Sequence, residues 1–184
     1  MNESKGFTLL ELLTSISILM ILVTLGLPAL ENFTVKMRVD REISQLYRML
    51  LMTRNTAINS GQKTIICPLD NNSQCTTQWQ NKLSIFIDIN NNKILDNNEK
   101  VISIRSAINS GDKLVYGIGR TKITFKPTGH LSGLANGTFR YCPKNHQDKT
   151  RGIVVARSGR VYQSSDTDND GIDENRGNTE INCN

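Results

Sequence analysis

The sequence predicts an α+β chain: one long N-terminal helix, apolar enough in its first half to cross a bilayer, followed by an antiparallel β-sheet head. Three observations predict it. Residues 7–27 are almost wholly apolar, carry one charge, Glu11, and meet the length of about 20 residues that a membrane-spanning helix needs. Beyond Pro28, Val39, Ile43, Leu46, Leu50, Thr53 and Ala57 recur at alternating steps of four and three, one face of a continuing helix. From Lys63 onward the period changes to two, in short runs separated by Asn, Gly and Asp clusters.

The elements follow in chain order. A small residue, Gly6, stands ahead of the apolar run rather than behind it, the reverse of a secretory signal peptide. A cut between Gly6 and Phe7 would leave the whole apolar helix on the mature chain. Lys5 precedes the span, so the N-terminus is expected in the cytoplasm and everything after Glu31 on the other side of the membrane. A carboxylate at the centre of such a span costs about 2.5–3.5 kcal/mol, which marks Glu11 as a functional candidate. Its nearest available cation is the free amine of a Phe7 terminus, on the same chain or a neighbouring one. The helix is expected to run from about residue 7 to 59 and to stop at Ser60-Gly61. Lys36, Arg38, Arg41, Arg48 and Arg54 lie off its apolar stripe and read as a solvated face or as contacts to neighbouring subunits. Strands are expected at 63–67, 82–88, 100–105, 113–116, 122–125, 138–142, 152–156 and 160–163, with Ser158-Gly159 as a two-residue turn between the last two.

The chain has 184 residues and four cysteines. An even count beyond a membrane helix reads as disulfides: Cys67 with Cys75 in a short loop, and Cys142 with Cys183, tying the tail to the sheet. A metal site is disfavoured by the absence of CxxC spacing and by only two histidines. Net charge is +5, from 22 Lys and Arg against 17 Asp and Glu, which permits an anionic partner without demanding one. His130 and His146 are far apart in sequence and neither lies beside a plausible nucleophile, so no enzymatic activity and no cofactor are expected.

The stretch Lys5-Gly6-Phe7-Thr8-Leu9-Leu10-Glu11 resembles the type III signal of type IV prepilins and type II secretion pseudopilins. The resemblance implies that prepilin peptidase cuts after Gly6 and methylates Phe7. It implies that Glu11, the fifth mature residue, pairs with the Phe7 amine to set subunit register, and that Pro28 loosens the helix. The fold it implies is the type IV pilin-like one. Later motifs narrow it: Cys67-Pro68 with Cys75, then Trp79, Phe86-Ile87-Asp88, Phe125-Lys126-Pro127-Thr128-Gly129, Gly137 to Cys142, and Gly159-Arg160 are similar to the GspH/FimT family of minor pilins and pseudopilins. The expected organisation is a leader at 1–6, a transmembrane and filament-core half-helix at 7–30, an amphipathic half at 31–60, and a β-rich head at 61–184. The implied function is a minor pilin that helps start or cap a type IV pilus. DNA uptake in natural transformation and type II secretion are the alternatives. The implied partners are other minor and major pilins, prepilin peptidase, the inner membrane and, in the uptake reading, double-stranded DNA.

Three clusters in the head are candidate sites. Asp88, Asn90, Asn92, Asp96 and Glu99 fall at calcium-loop positions 1, 3, 5, 9 and 12, but Lys93 stands where that loop wants Gly, which favours a plain Asn-rich turn. Asp166, Asp168, Asp170 and Gly171 repeat the first half of such a loop. Position 12 is Gly177, so Glu174 or Glu180 would have to substitute, and a solvated acidic loop is the favoured reading. Lys144, Lys149, Arg151, Arg157 and Arg160 form a basic cluster near the last hairpin. The DNA-binding branch of the family implies a Gly-Arg-x-Arg motif, and here Gly159-Arg160-Val161-Tyr162 has Tyr at the second Arg position. Arg160 and Tyr162 would share one side of a strand, a phosphate contact beside a stacking ring.

Overall fold

The structure is a computed structural model and describes Gly6 and residues 8–183. The leader residues 1–5 and Phe7, and with them the expected cleavage and methylation chemistry at Phe7 and the cytoplasmic Lys5, lie outside the described residues. One helix, α1 (Leu9–Ser60), contains Pro28 and is followed by eight strands. The chain divides into two compact units, Met1–Met37 and Arg38–Asn184.

In the first unit every described residue from Thr8 to Thr34 is exposed, including Leu12, Ile16, Leu19, Ile21, Leu25 and Leu27. It is the one helix long and apolar enough to cross a membrane among the described residues. Its hydroxyls are turned inward: Ser15 donates to the Glu11 carbonyl, Ser17 to Leu13 and Thr24 to Met20, each at 2.7–2.8 Å. These bonds satisfy the polar groups within the helix, as an apolar medium requires. Pro28 has no N–H to offer the Thr24 carbonyl, yet the helix runs through it without a break.

In the second unit the stripe Val39, Ile43, Leu46, Leu50, Thr53 and Ala57 is buried in full. Thr53 removes its one polar group from play by donating to the Met49 carbonyl at 2.7 Å. The head is two antiparallel sheets rather than one. The first has the order β3-β2-β1-β5, from β1 (Lys63–Pro68), β2 (Leu83–Asp88), β3 (Val101–Arg105) and β5 (Ile123–Phe125). The second has the order β4-β6-β7-β8, from β4 (Lys113–Tyr116), β6 (Gly137–Cys142), β7 (Arg151–Val155) and β8 (Val161–Gln163). Ile65, Ile66, Ile85 and Phe86 on β1 and β2 are completely inaccessible, so these central strands read as continuous apolar runs rather than alternating ones.

An aromatic cluster joins the sheets. Trp79, from the β1–β2 connection, meets Tyr116 edge-on at 5.4 Å and Phe139 at 5.1 Å, and the last two rings stack at 4.1 Å. The Trp79 indole N–H donates to the Arg120 carbonyl at 2.7 Å, and the Tyr116 hydroxyl donates to the Ala135 carbonyl. A Cβ on Gly137 would lie 3.3 Å from the Tyr116 ring, so the glycine lets the strand approach it. Burial raises the pKa of Tyr116, and burial together with a hydrogen bond to Asp112 raises that of Tyr141. The folded state therefore holds both protons to higher pH than the unfolded chain does. That contribution is complete below about pH 10, the ordinary tyrosine value, and is lost progressively above it. Melting temperature is expected to fall as pH rises beyond about 10, and Tyr141→Phe to make the fall shallower, as thermal melts across that range will read.

Candidate functional site

The N-terminal candidate begins at Thr8. Its backbone N–H and its hydroxyl both donate to Glu11 Oε2, at 3.0 and 3.1 Å, while the Glu11 N–H donates back to the Thr8 Oγ1 at 3.2 Å. This is a capping box, in which a Thr N-cap and a Glu three residues on satisfy each other's free groups. Sequence reasoning passed over it, although Thr8-x-x-Glu11 is its ordinary signature. Glu11 therefore has a partner within its own first turn. Its second oxygen, Oε1, has no hydrogen bond among the described residues, and the Phe7 amine lies outside them.

Both disulfides are local to the head. Cys67 and Cys75 are joined across a Cα separation of 5.6 Å, and Cys142 and Cys183 across 6.2 Å. The second carries the chain back from the strandless tail to the end of β6.

Two members of the basic cluster are paired with carboxylates. Arg151 pairs with Asp40 of α1 at 2.9 Å and reaches Asp173 at 3.9 Å. Lys149 pairs with its neighbour Asp148. The Tyr162 ring is covered by the Arg176 guanidinium, 4.1 Å from its centroid. Arg157 and Arg160 are exposed and unpaired among the described residues, and Arg157 shares a shallow cavity with Lys126 and His130. Two helix basic residues expected on a solvated or subunit-facing surface are instead used inside the head: Arg38 pairs with Asp112 at 3.2 Å, and Arg54 donates to the Gly129 carbonyl at 3.0 Å.

The two Asn- and Asp-rich loops differ. Lys93 takes the left-handed backbone, φ +68°, that the calcium loop reserves for Gly, and its N–H donates to Asp88 Oδ1 at 3.3 Å. Asp88 Oδ2 is buried without a hydrogen-bond partner, and most of the other oxygens are engaged locally. Glu99 accepts the Ile89 and Asp96 N–H groups, Asn90 and Asn92 accept the N–H groups two residues on, and both amide nitrogens donate to Asp96 at 2.7 Å. The second loop brings one carboxylate oxygen each from Asp166, Asp168, Asp170 and Glu174 within 4.8 Å of one another, the one such group among the described residues.

With helix, sheets and disulfides placed, the comparison with known proteins decides the family. The family model described as "Type II transport protein GspH" matches residues 42–159, more than half of the chain. The chain belongs to the GspH family. A second model, the prokaryotic N-terminal methylation motif, matches residues 1–27 of this GspH-family chain. The fold is similar to that of the type IV minor pilin FimU of Pseudomonas aeruginosa. In one crystal form the TM-score is 0.57 at 18% identity, covering 72% of this chain and 92% of that one. A second crystal form of FimU gives 0.52 at 18% identity, covering 66% and 89%. The minor pseudopilin EpsH of the Vibrio cholerae type 2 secretion system gives 0.49 at 15% identity, covering 68% and 95%. The type IV pilin-like α+β fold is thus shown, within a family of structural pilins and pseudopilins that work in assemblies with one another.

Proposed function

We propose that this GspH-family chain is a minor pilin, cut by prepilin peptidase between Gly6 and Phe7 and inserted near the tip of a type IV pilus to start or cap its assembly. The observation that carries the reading is the apolar first half of α1, exposed from end to end in the chain alone and preceded by the methylation motif. Such a surface needs a bilayer before assembly and neighbouring helices after it. The inner membrane is the reservoir, with the leader cytoplasmic and the head periplasmic. Glu11 is the residue assigned to assembly. Its capping box holds Oε2, and its other oxygen would take the Phe7 amine of the same chain or of a neighbour. A minor pseudopilin of type II secretion is the alternative that the test below separates from the minor pilin. With Lys149 and Arg151 paired, DNA capture would rest on the exposed Lys144, Arg157 and Arg160, so it is the weaker reading.

The test is deletion and complementation. Loss of the gene is expected to remove surface pili and leave type II secretion intact, and Glu11→Ala is expected to be processed and membrane-held yet absent from sheared pili. Intact pili with lost secretion would assign the chain to the secretion system instead.

A further inference from the structure

We infer that Asp166, Asp168, Asp170 and Glu174 form a calcium site that locks the C-terminal tail onto the head. The loop between β8 and Cys183 has no strand of its own, so its shape depends on local bonds. Asp166 accepts the Asn169 and Gly171 N–H groups at 2.7 and 3.0 Å, Asp168 accepts that of Asp170 at 3.2 Å, and Asp170 accepts that of Ile172 at 2.8 Å. These bonds curl the chain so that alternate carboxylates converge, with Gly171 at φ +91° turning the loop.

Acidic convergence alone would not make a site. The independent observation is Glu174, which is 5% exposed and holds one carboxylate oxygen, Oε1, buried without any hydrogen-bond partner. Its other oxygen accepts the Thr167 N–H and hydroxyl at 2.8 and 2.6 Å. Its backbone is held too, bridged to Ser165 on one side and to Glu180 on the other. A buried unpartnered carboxylate oxygen on a fixed mount is costly unless a cation meets it. No lysine or arginine is paired with any of the four carboxylates among the described residues. An all-oxygen set of four carboxylates, with no histidine or thiol, suits a hard divalent cation. The three Asp at alternate positions and an adaptable loop suit calcium over magnesium, whose octahedron is stricter; water and backbone carbonyls would fill the rest of about six to eight positions.

The consequence is mechanical. The loop meets the second sheet through Ser164, which accepts the Gly152 N–H at 2.7 Å and donates to Asp173 at 2.6 Å, and through buried Ile181. Calcium would fix this segment between its two anchors, β8 and the Cys142–Cys183 bond.

The test uses the full-length chain in detergent micelles, titrated with calcium chloride or magnesium chloride by calorimetry and thermal melts. Calcium is expected to bind at about one ion per chain. It is expected to raise Tm by about 5–10 °C at a hundredfold excess over Kd, with magnesium giving less than half that rise. The Asp168→Asn/Asp170→Asn pair keeps oxygens for the two loop bonds. It is expected to melt in chelator no lower than the parent and to lose calcium affinity at least about tenfold. Absence of heat and of any Tm shift with calcium overturns the site. So does an equal response to magnesium, or an equal loss of affinity in Glu180→Gln, which lies outside the four.

Discussion

Gly159→Ala is expected to destabilise the head by about 3–5 kcal/mol, lowering Tm by roughly 6–20 °C. The reason is a meeting of two turns that are far apart in sequence. Gly159 sits at φ +79° in the β7–β8 turn, and a Cβ there would lie 1.8 Å from the Gly129 carbonyl oxygen and 3.1 Å from Arg54 Nε. That same carbonyl accepts the Arg54 N–H at 3.0 Å, so it cannot retreat without breaking the bond that ties this turn to α1. Gly129 is itself left-handed, at φ +75°. Left-handed backbone alone costs an Ala about 1–2 kcal/mol, and the collision adds the larger share. Gly119→Ala separates the two, because Gly119 has φ +67° with nothing within 4 Å of a built Cβ. Thermal or urea unfolding of the two variants should differ by at least about 2 kcal/mol. Equal losses would mean that the two turns do not touch.

Asp112→Ala is expected to cost about 3–5 kcal/mol, the range for removing one partner of a buried ion pair. The Asp112 side chain is 1% exposed and serves three groups: Arg38 Nε at 3.2 Å, the Tyr141 hydroxyl at 2.5 Å and the Lys144 N–H at 2.9 Å. It thereby ties α1 to the second sheet and to the turn that follows β6. Truncation strands a guanidinium, a phenol and an amide at once, whereas Tyr141→Phe removes only one donor and should cost about 1–2 kcal/mol. Urea unfolding of both variants and of the double variant measures the coupling. A double-variant loss equal to the sum of the single losses would show that the phenol and the carboxylate do not interact.

What the sequence made legible follows from period and length. The buried stripe Val39 to Ala57 and all eight strands lie where the hydrophobic spacing put them, because a residue facing a core must be apolar at each recurrence. The division into two sheets was not legible, since strand partners are set by tertiary pairing that no local pattern encodes. Nor were the uses of Arg38, Arg54 and Arg151. A basic residue off the apolar stripe reads as solvated until its partner, Asp112, the Gly129 carbonyl or Asp40, is brought to it by the fold. Lys93 stands where a calcium loop wants Gly, and that substitution disfavoured the first acidic loop. The backbone takes the left-handed turn anyway, and what separates the loops is where their carboxylates go. Glu174 was visible as a candidate to stand in at the missing position, but its burial and its unpartnered oxygen were not.

On the proposed function the apolar helix stays on the mature chain, freed of its leader at Gly6 and put to use in assembly. The most direct test is intact-mass analysis and N-terminal sequencing of the chain recovered from cells that carry prepilin peptidase. The expected product is a chain that starts at Phe7 with a methylated amine and retains the helix. A mature chain starting beyond Leu27, or one still carrying residues 1–6, would contradict it.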